Sequence, residues 1–394
     1  MTLERDTAVV GIGATDYTRR GASYPQTPIE LACKAIIAAA EDAGIDVRDV
    51  DGFAYYSGGF DTGLFAQTLG LKEIGFSASL TGGGNGAAGS VGLASAAVKD
   101  RQAKYVVSLM TLQQTPDSRL GAAFAAKSGP YSRAPTAEGD FVAPYGSVAP
   151  GHFFSMMFKR HMHLYGTTRD AMAEVCISQR ENALNRPKAI RKDPITLDDY
   201  YAARMISDPL CLFDYTMESD GAVAVITTSA DRAKDLRHPP AYVAGWAAGG
   251  DGRWGKGMSW MGMDDDLFPT AGAGQVAKQL YERTGIGPSD IDVALLYDHF
   301  SPMVLLQIED YGFCPKGEVG AFVADGNIRF KGGSIPVNTH GGNLSEAYII
   351  GMTHVMEGVE QVRGTAINQV DDCALALVTG GPSAMPLSGL LLSR

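Results

Sequence analysis

The sequence predicts an α/β fold built from two similar halves, and three observations carry that expectation. Short, nearly uninterrupted apolar runs recur along the chain, segments of helical period separate them, and one succession of glycine-rich turn, apolar helix and apolar strand occurs once in each half. Apolar runs without alternation belong to strands covered on both faces, as when helices flank a sheet. The chain has 394 residues, 45% of them hydrophobic, which exceeds one typical domain and supplies a sizeable dry core.

Taken in order, strands are expected at 8–17 (AVVGIGATDY), 52–57 (GFAYYS), 104–111 (KYVVSLMT), 221–229 (GAVAVITTS), 241–248 (AYVAGWAA), 292–300 (DVALLYDHF), 373–381 (CALALVTGG) and 389–394 (GLLLSR). The first helix opens at Thr27 and Pro28 and stops at Gly44, a cap, a preset φ and a glycine terminator. Residues 86–99 (GAAGSVGLASAAVK) are small and apolar all round, which suits a helix pressed between two layers. Ser301 and Pro302 open a helix that stops at Gly312, and another is expected from about Ser345 to Val362.

The repeat becomes visible when these elements are aligned. Turn 81–86 (TGGGNG) leads into the apolar helix and strand 104–111, while turn 339–342 (THGG) leads into the helix after Ser345 and strand 373–379. Each half begins with a glycine-bearing apolar strand, and the charged, proline-flanked stretch 231–240 (DRAKDLRHPP) divides the chain into 1–235 and 236–394. Residues 112–220 are less regular, with loops rich in glycine, proline and serine at 128–151 and one strong helix. They read as an insertion that covers a site or makes a subunit contact.

Charge narrows the partners. With 33 Lys and Arg against 44 Asp and Glu the formal net charge is −11, and there is no basic block, so the surface repels nucleic acid and anionic membranes. The charged start MTLERD and the lack of an apolar run approaching about 18 residues point to a cytoplasmic protein without a membrane span. Five widely spaced cysteines (Cys33, Cys176, Cys211, Cys314, Cys373), odd in number and without a C-x-x-C, read as reduced thiols.

Several familiar signatures fail on context. GIGATD (11–16) has a G-x-G after a strand, but Asp16 stands at the third glycine position and no helix follows, so it reads as a turn. His161 and His163 are two apart on a helical segment and point to nearly opposite sides, so they do not chelate one metal ion. No G-x-S-x-G elbow is present.

Two concentrations in the second half are more informative. YDHFS (297–301) places Tyr297, Asp298 and His299 at the carboxyl end of a buried strand, just before a helix, where α/β folds display functional groups. Tyr297 reads equally as a tyrosine that closes a core layer. NTHGGNLSEAY (338–348) offers His340, the close backbone approach of Gly341 and Gly342, a cap at Ser345, and Tyr348 in the first turn of the helix beyond. A phenol there feels the positive helix end and can stabilise a developing oxyanion.

Three long segments carry a resemblance: 160–187 (RHMHLYGTTRDAMAEVCISQRENALNRP), 204–233 (RMISDPLCLFDYTMESDGAVAVITTSADRA) and 297–323 (YDHFSPMVLLQIEDYGFCPKGEVGAFV). In this order they resemble the thiolase superfamily, in its sterol carrier protein-x branch. The resemblance implies a five-layered αβαβα sandwich of two pseudo-symmetric halves and a homodimer. It also implies where the chain departs from thiolases. Gly86 stands where the nucleophilic cysteine of N-C-A-x-G-S is found, Val378 is nearest the second cysteine, Tyr348 replaces the G-H-P-x-G histidine and Tyr297 replaces the H-D-C-F histidine. Claisen chemistry cannot run on this set.

That pattern is similar to the Ltp2-type steroid side-chain aldolases. The resemblance implies a retro-aldol cleavage of a β-hydroxyacyl-CoA, a 17-hydroxy steroid side-chain thioester, to a 17-ketosteroid and propionyl-CoA. It further implies an OB-fold accessory protein with a zinc ribbon, in a heterotetramer, with zinc only in that partner. The chain itself is expected to need no cofactor, coenzyme A arriving with the substrate. A retro-aldol needs a base, a site for the enolate and an acid, and no covalent link to the enzyme. Tyr297 is assigned as base assisted by His299, and Tyr348 as the group that stabilises and protonates the enolate, with the two roles open to exchange. His340 lines the site, and Asn85 and Gly86 offer backbone N–H groups to the acyl group. Arg329 and Lys331 are the local basic residues for CoA phosphates, but read more readily as solvated charges. Two other readings stand beside this one: a retro-aldolase for a non-steroid acyl-CoA, and a non-catalytic scaffold or lipid-binding subunit in which both tyrosines merely pack.

Overall fold

The apolar runs become strands in the computed structural model, which describes residues 5–56, 60–117, 119, 143–147, 149–251, 269–381 and 386–394. In chain order they are β1 (Thr7–Ala14), β2 (Thr18–Arg19), β3 (Gly52–Tyr56), β4 (Phe76–Leu80), β5 (Val106–Leu112), β6 (Met205–Ser207), β7 (Leu210–Cys211), β8 (Ser219–Ser229), β9 (Ala241–Gly249), β10 (Val293–Leu295), β11 (Leu375–Thr379) and β12 (Leu387–Ser393). The main sheet runs β10-β11-β12-β9-β1-β8-β5-β3-β4, β2 pairs with β8, and β6 with β7 forms a separate hairpin.

The junction of β9 with β1 is brief, Ala8 facing Tyr242 and Val9 facing Ala241. On either side of it the pairing repeats. In the first half β3 and β5 are parallel, and β5–β8 and β8–β1 are antiparallel. In the second, β10 and β11 are parallel, and β11–β12 and β12–β9 are antiparallel. β4, parallel to β3, extends the first half at its edge.

Helices complete the layers. Pro28–Ala43 covers β1, β5 and β8, and Gly274–Thr284 covers β9 and β12. Ala87–Lys99 and Met352–Arg363 touch strands of both halves and each other, and so form a middle layer. The α/β class and its five layers are therefore as the sequence predicts. The glycines of the middle helix explain how it fits. A Cβ on Gly92 would lie 2.2 Å from Trp246 Cδ2, and one on Gly89 2.8 Å from Leu80 Cδ1, so only glycine lets the two halves of the sheet close on this helix. Helix Pro28–Ala43 starts where expected because Thr27 and Glu30 cap each other's backbone N–H groups at 3.2 and 2.8 Å, and Gly44 ends it at φ +77°.

Two departures matter for function. The strand expected at 292–300 is regular only to Leu295, because side chains then replace ladder partners. Leu296 N–H donates to Asn338 Oδ1 at 2.8 Å and Tyr297 N–H to Thr379 Oγ1 at 2.9 Å. The helix expected from Ser345 is split into Gly342–Ser345 and Met352–Arg363, since Ile350 and Gly351 have φ of +46° and +86°. Tyr348 thus lies in the turn between helices, not in a first helical turn. Within 112–220, the stretch read as one helix and loops holds helices Pro150–Tyr165, Arg169–Leu184 and Leu197–Ala202. Of the glycine- and proline-rich stretch 128–151, residues 128–142 and 148 lie outside the described residues. Among the described residues no helix is long and apolar enough to cross a membrane.

Candidate active site

Tyr297 leaves β10 with its backbone clamped. Beyond the bond to Thr379, its carbonyl accepts from Gln307 Nε2 at 2.8 Å, and the Thr379 hydroxyl donates to Gln307 Oε1 at 2.6 Å, closing a ring of three groups. The aromatic ring lies among three glycines. A Cβ would lie 2.1 Å from Tyr297 Oη at Gly84, 2.7 Å from Cδ2 at Gly351 and 3.2 Å from Cε1 at Gly381. Glycine-bearing turns from three distant segments therefore meet on one phenol.

Tyr348 approaches from the other side. Its N–H donates to Ser219 Oγ at 2.9 Å and its carbonyl accepts from the same hydroxyl at 3.0 Å, which pins the residue to the first residue of β8. Tyr297 Oη donates to Tyr348 Oη at 3.5 Å, the outer limit of a hydrogen bond and a separation that catalytic groups often show before substrate binds. Tyr348 is half-buried, whereas Tyr297 is 3% exposed. Burial pushes the Tyr297 phenol well above its ordinary value, and the neighbouring Tyr348 adds to the shift. Tyr297 therefore holds its proton and acts as a donor.

His299 lies beside Tyr297, as expected, but uncharged, while His340 stands further back. His299 packs its ring 5.4 Å from that of Tyr297 and 4.5 Å from Phe154, and burial pushes its imidazole down to about 3. It is neutral at physiological pH and supplies no cation to stabilise a phenolate. His340 is fully buried and meets His354 edge-on at 4.6 Å, and His354 in turn stacks on Tyr297 at 6.1 Å. His340 thus stands one ring behind the phenols.

Asp298, to which the sequence assigned no role, anchors the neighbouring loop. Its buried carboxylate accepts from the backbone N–H groups of Asn343 and Leu344 at 2.9 and 3.1 Å, and lies 3.0 Å from His354 Nε2. A Cβ on Gly342, whose φ is +62°, would lie 2.2 Å from Asp298 Oδ2, and one on Gly341 2.7 Å from Ala183 Cβ. The close approach expected of these two glycines is made to Asp298 and to helix Arg169–Leu184. Asp298→Ala leaves two buried donors unpaired. It is expected to lower the unfolding free energy by about 2–4 kcal/mol in denaturant titration.

Asn85 and Gly86 lie in the tight turn that opens the middle helix. Gly86 N–H is taken up inside the turn by Gly83 O at 3.1 Å, and the Asn85 side chain ties the turn to the segment before β12 by donating from Nδ2 to Pro386 O at 2.7 Å. A Cβ on Gly86 would lie 2.6 Å from Tyr56 Cβ, which closes the space a cysteine side chain would need. Val378 is buried within β11. All five cysteines are free and buried, and burial raises each thiol, Cys211 to about 11 and Cys314 and Cys373 to about 12. None is an activated nucleophile. Gly86→Cys is accordingly expected to stay unmodified, its intact mass unchanged after incubation with acyl-CoA. Arg329, weighed for CoA phosphates, is bound by Glu174 and Glu181 at 2.7 and 2.8 Å.

Glu346, two residues before Tyr348, belongs to a largely buried acidic cluster. Arg186 contacts Glu346, Glu357 and Glu360 at 2.8, 3.0 and 3.2 Å. Burial raises Glu346 to about 7 against the opposing pull of Arg186, and raises Glu360 as well. A carboxyl whose folded pKa is raised stabilises the fold below its ordinary value near 4.5, and that stability is lost as pH climbs through about 7. The thermal midpoint should therefore fall across this interval, and Glu346→Gln should flatten the decline.

Comparison with known proteins gives the family. Residues 256–389 match the family described as thiolase C-terminal domain-like. The chain is 39% identical over 387 residues to a steroid side-chain-cleaving aldolase of Thermomonospora curvata, covering 98% of this chain and 97% of the relative. It is 37% identical over 392 residues to the 17-hydroxy-3-oxo-4-pregnene-20-carboxyl-CoA lyase of Mycobacterium tuberculosis, covering 99% and 100%. A solved structure described as an Ltp2-ChsH2(DUF35) aldolase superposes with a TM-score of 0.89 at 37% identity, covering 100% of this chain and 99% of that one. With likeness over its full length, the chain belongs to the thiolase superfamily, in the branch that holds these lyases.

Proposed function

We propose that the chain is a thiolase-like carbon–carbon lyase that cleaves a 17-hydroxy steroid side-chain CoA thioester to a 17-ketosteroid and propionyl-CoA. The observation that carries this is the pair of phenolic oxygens 3.5 Å apart at a site without a reactive thiol. The named activities of the Thermomonospora and Mycobacterium relatives support the substrate class.

Of the two role assignments left open by the sequence, the burial of Tyr297 supports the exchanged one. Tyr348, as phenolate, takes the proton of the tertiary hydroxyl, with its negative charge stabilised by the hydrogen bond from Tyr297. The alkoxide collapses to the ketone, the C–C bond breaks, and its electron pair enters the thioester enolate. Tyr297 gives its proton to the enolate carbon, and the proton held on Tyr348 crosses to Tyr297. Both phenols return to their starting state, no proton is gained or lost, and no acyl-enzyme forms.

A homodimer bearing an OB-fold, zinc-ribbon accessory protein is part of this reading. The solved relative, described as an Ltp2-ChsH2(DUF35) aldolase, supports a partner protein; the homodimer, the OB-fold and the zinc ribbon follow from the family resemblance. The test is mass spectrometry of a tertiary β-hydroxyacyl-CoA incubated with the chain, with and without its accessory protein. A ketone and propionyl-CoA are expected, with the protein mass unchanged. A covalently acylated chain during turnover contradicts the proposal.

A further inference from the structure

Tyr56 ends β3, is fully buried, and was read from sequence only as part of a strand. Its Cβ occupies the space beside Gly86, and its ring continues toward the turn that carries Tyr348. There its hydroxyl donates to the carbonyl oxygen of Ile350 at 2.9 Å. Burial keeps this phenol protonated, so it remains a donor.

The residue it holds is an unusual one. Ile350 has φ +46°, a left-handed conformation that crowds a β-branched side chain and persists only where the surroundings impose it. Gly351 follows at φ +86°. This turn governs both phenols. Tyr348 lies two residues upstream, held by Ser219 from the opposite side, and Gly351 presses on the Tyr297 ring, where a Cβ would lie 2.7 Å from Cδ2. If the Ile350 carbonyl moves, the position of Tyr348 and one wall of the Tyr297 enclosure move with it.

We propose that Tyr56 is a positioning residue for the phenol pair: through the Ile350 carbonyl it locks the turn from Tyr348 to Gly351 and so sets the distance between the two phenolic oxygens. Being fully buried, it does this without touching substrate. The inference rests on the reading of Tyr348 as a catalytic group, and the experiment separates the two.

Tyr56→Phe keeps the ring that fills the space beside Gly86 and deletes only the donor. It is assayed beside Tyr348→Phe, with the accessory protein wherever the parent chain requires it, by steady-state cleavage of a tertiary β-hydroxyacyl-CoA. Since a misplacement of about 1 Å costs on the order of 10²-fold, kcat of Tyr56→Phe should fall by at least about tenfold while KM stays within about twofold. The thermal midpoint should stay within a few degrees of the parent. A kcat within about twofold of the parent overturns the proposal, and so does a joint change of kcat and KM with a lowered midpoint, which marks general loosening. An inactive Tyr348→Phe beside a fully active Tyr56→Phe sinks this inference alone. A fully active Tyr348→Phe sinks the underlying reading.

Discussion

Tyr348→Phe should lose about 10²–10⁴-fold in kcat, the usual worth of a positioned acid–base group, while melting as the parent does. The loss is large because no neighbour can take over. His299 is neutral, its imidazole pushed down to about 3 by burial, with its ring 5.4 Å from that of Tyr297. Tyr297 holds its own proton, and every cysteine is a buried, protonated thiol. The fold is spared because the backbone of Tyr348 is held by Ser219 through bonds the substitution leaves in place. Steady-state kinetics with a thermal melt on the same sample decide the matter. If both tyrosines merely pack, as the scaffold reading holds, the variant alters the melt and there is no turnover to lose. A variant that retains more than about a tenth of the parental kcat places the proton on another group.

The two phenols were legible in the sequence because each sits in a motif whose departure from thiolases is local, YDHF at 297–300 and AYIIG at 347–351. Their division of labour was not, because it depends on burial. Tyr297 is enclosed by Gly84, Gly351 and Gly381, and these come together only through the fold. His299 looked like the partner of Tyr297 on the assumption that the strand continued and placed alternate residues on one face. Regular pairing ends at Leu295, where Asn338 and Thr379 side chains take the backbone bonds, yet the two rings still pack 5.4 Å apart; what the motif did not reveal is the burial that leaves this imidazole neutral. The repeat of the two halves was readable from the order of elements, while β4, short and polar in part, carried too weak a pattern to be seen. Asp298 and Tyr56 escaped because their partners are backbone atoms: the N–H groups of Asn343 and Leu344, and the carbonyl of Ile350. Side-chain chemistry advertises itself in a motif, and bonds to a distant backbone do not.

Gly84→Ala tests the enclosure of Tyr297 without removing any reacting group. Its φ is not in the left-handed region, so the backbone accepts alanine and only space is at issue. The new methyl would lie 2.1 Å from both Cζ and Oη of Tyr297, and a rigid ring held at its backbone by Thr379 and Gln307 cannot absorb that by changing a single flexible bond. The phenol must shift from its place, with an overpacking cost of about 1–3 kcal/mol in stability. Displacing the hydroxyl by about 1 Å or more is expected to lower kcat on the order of 10²-fold. A double-mutant cycle identifies the cause. If Gly84→Ala acts only through this hydroxyl, then combining it with Tyr297→Phe should cost little beyond Tyr297→Phe alone, since one atom cannot be lost twice. Full multiplication of the two losses instead means that the turn at Gly84 serves the substrate directly, and that the enclosure of Tyr297 is incidental to the rate.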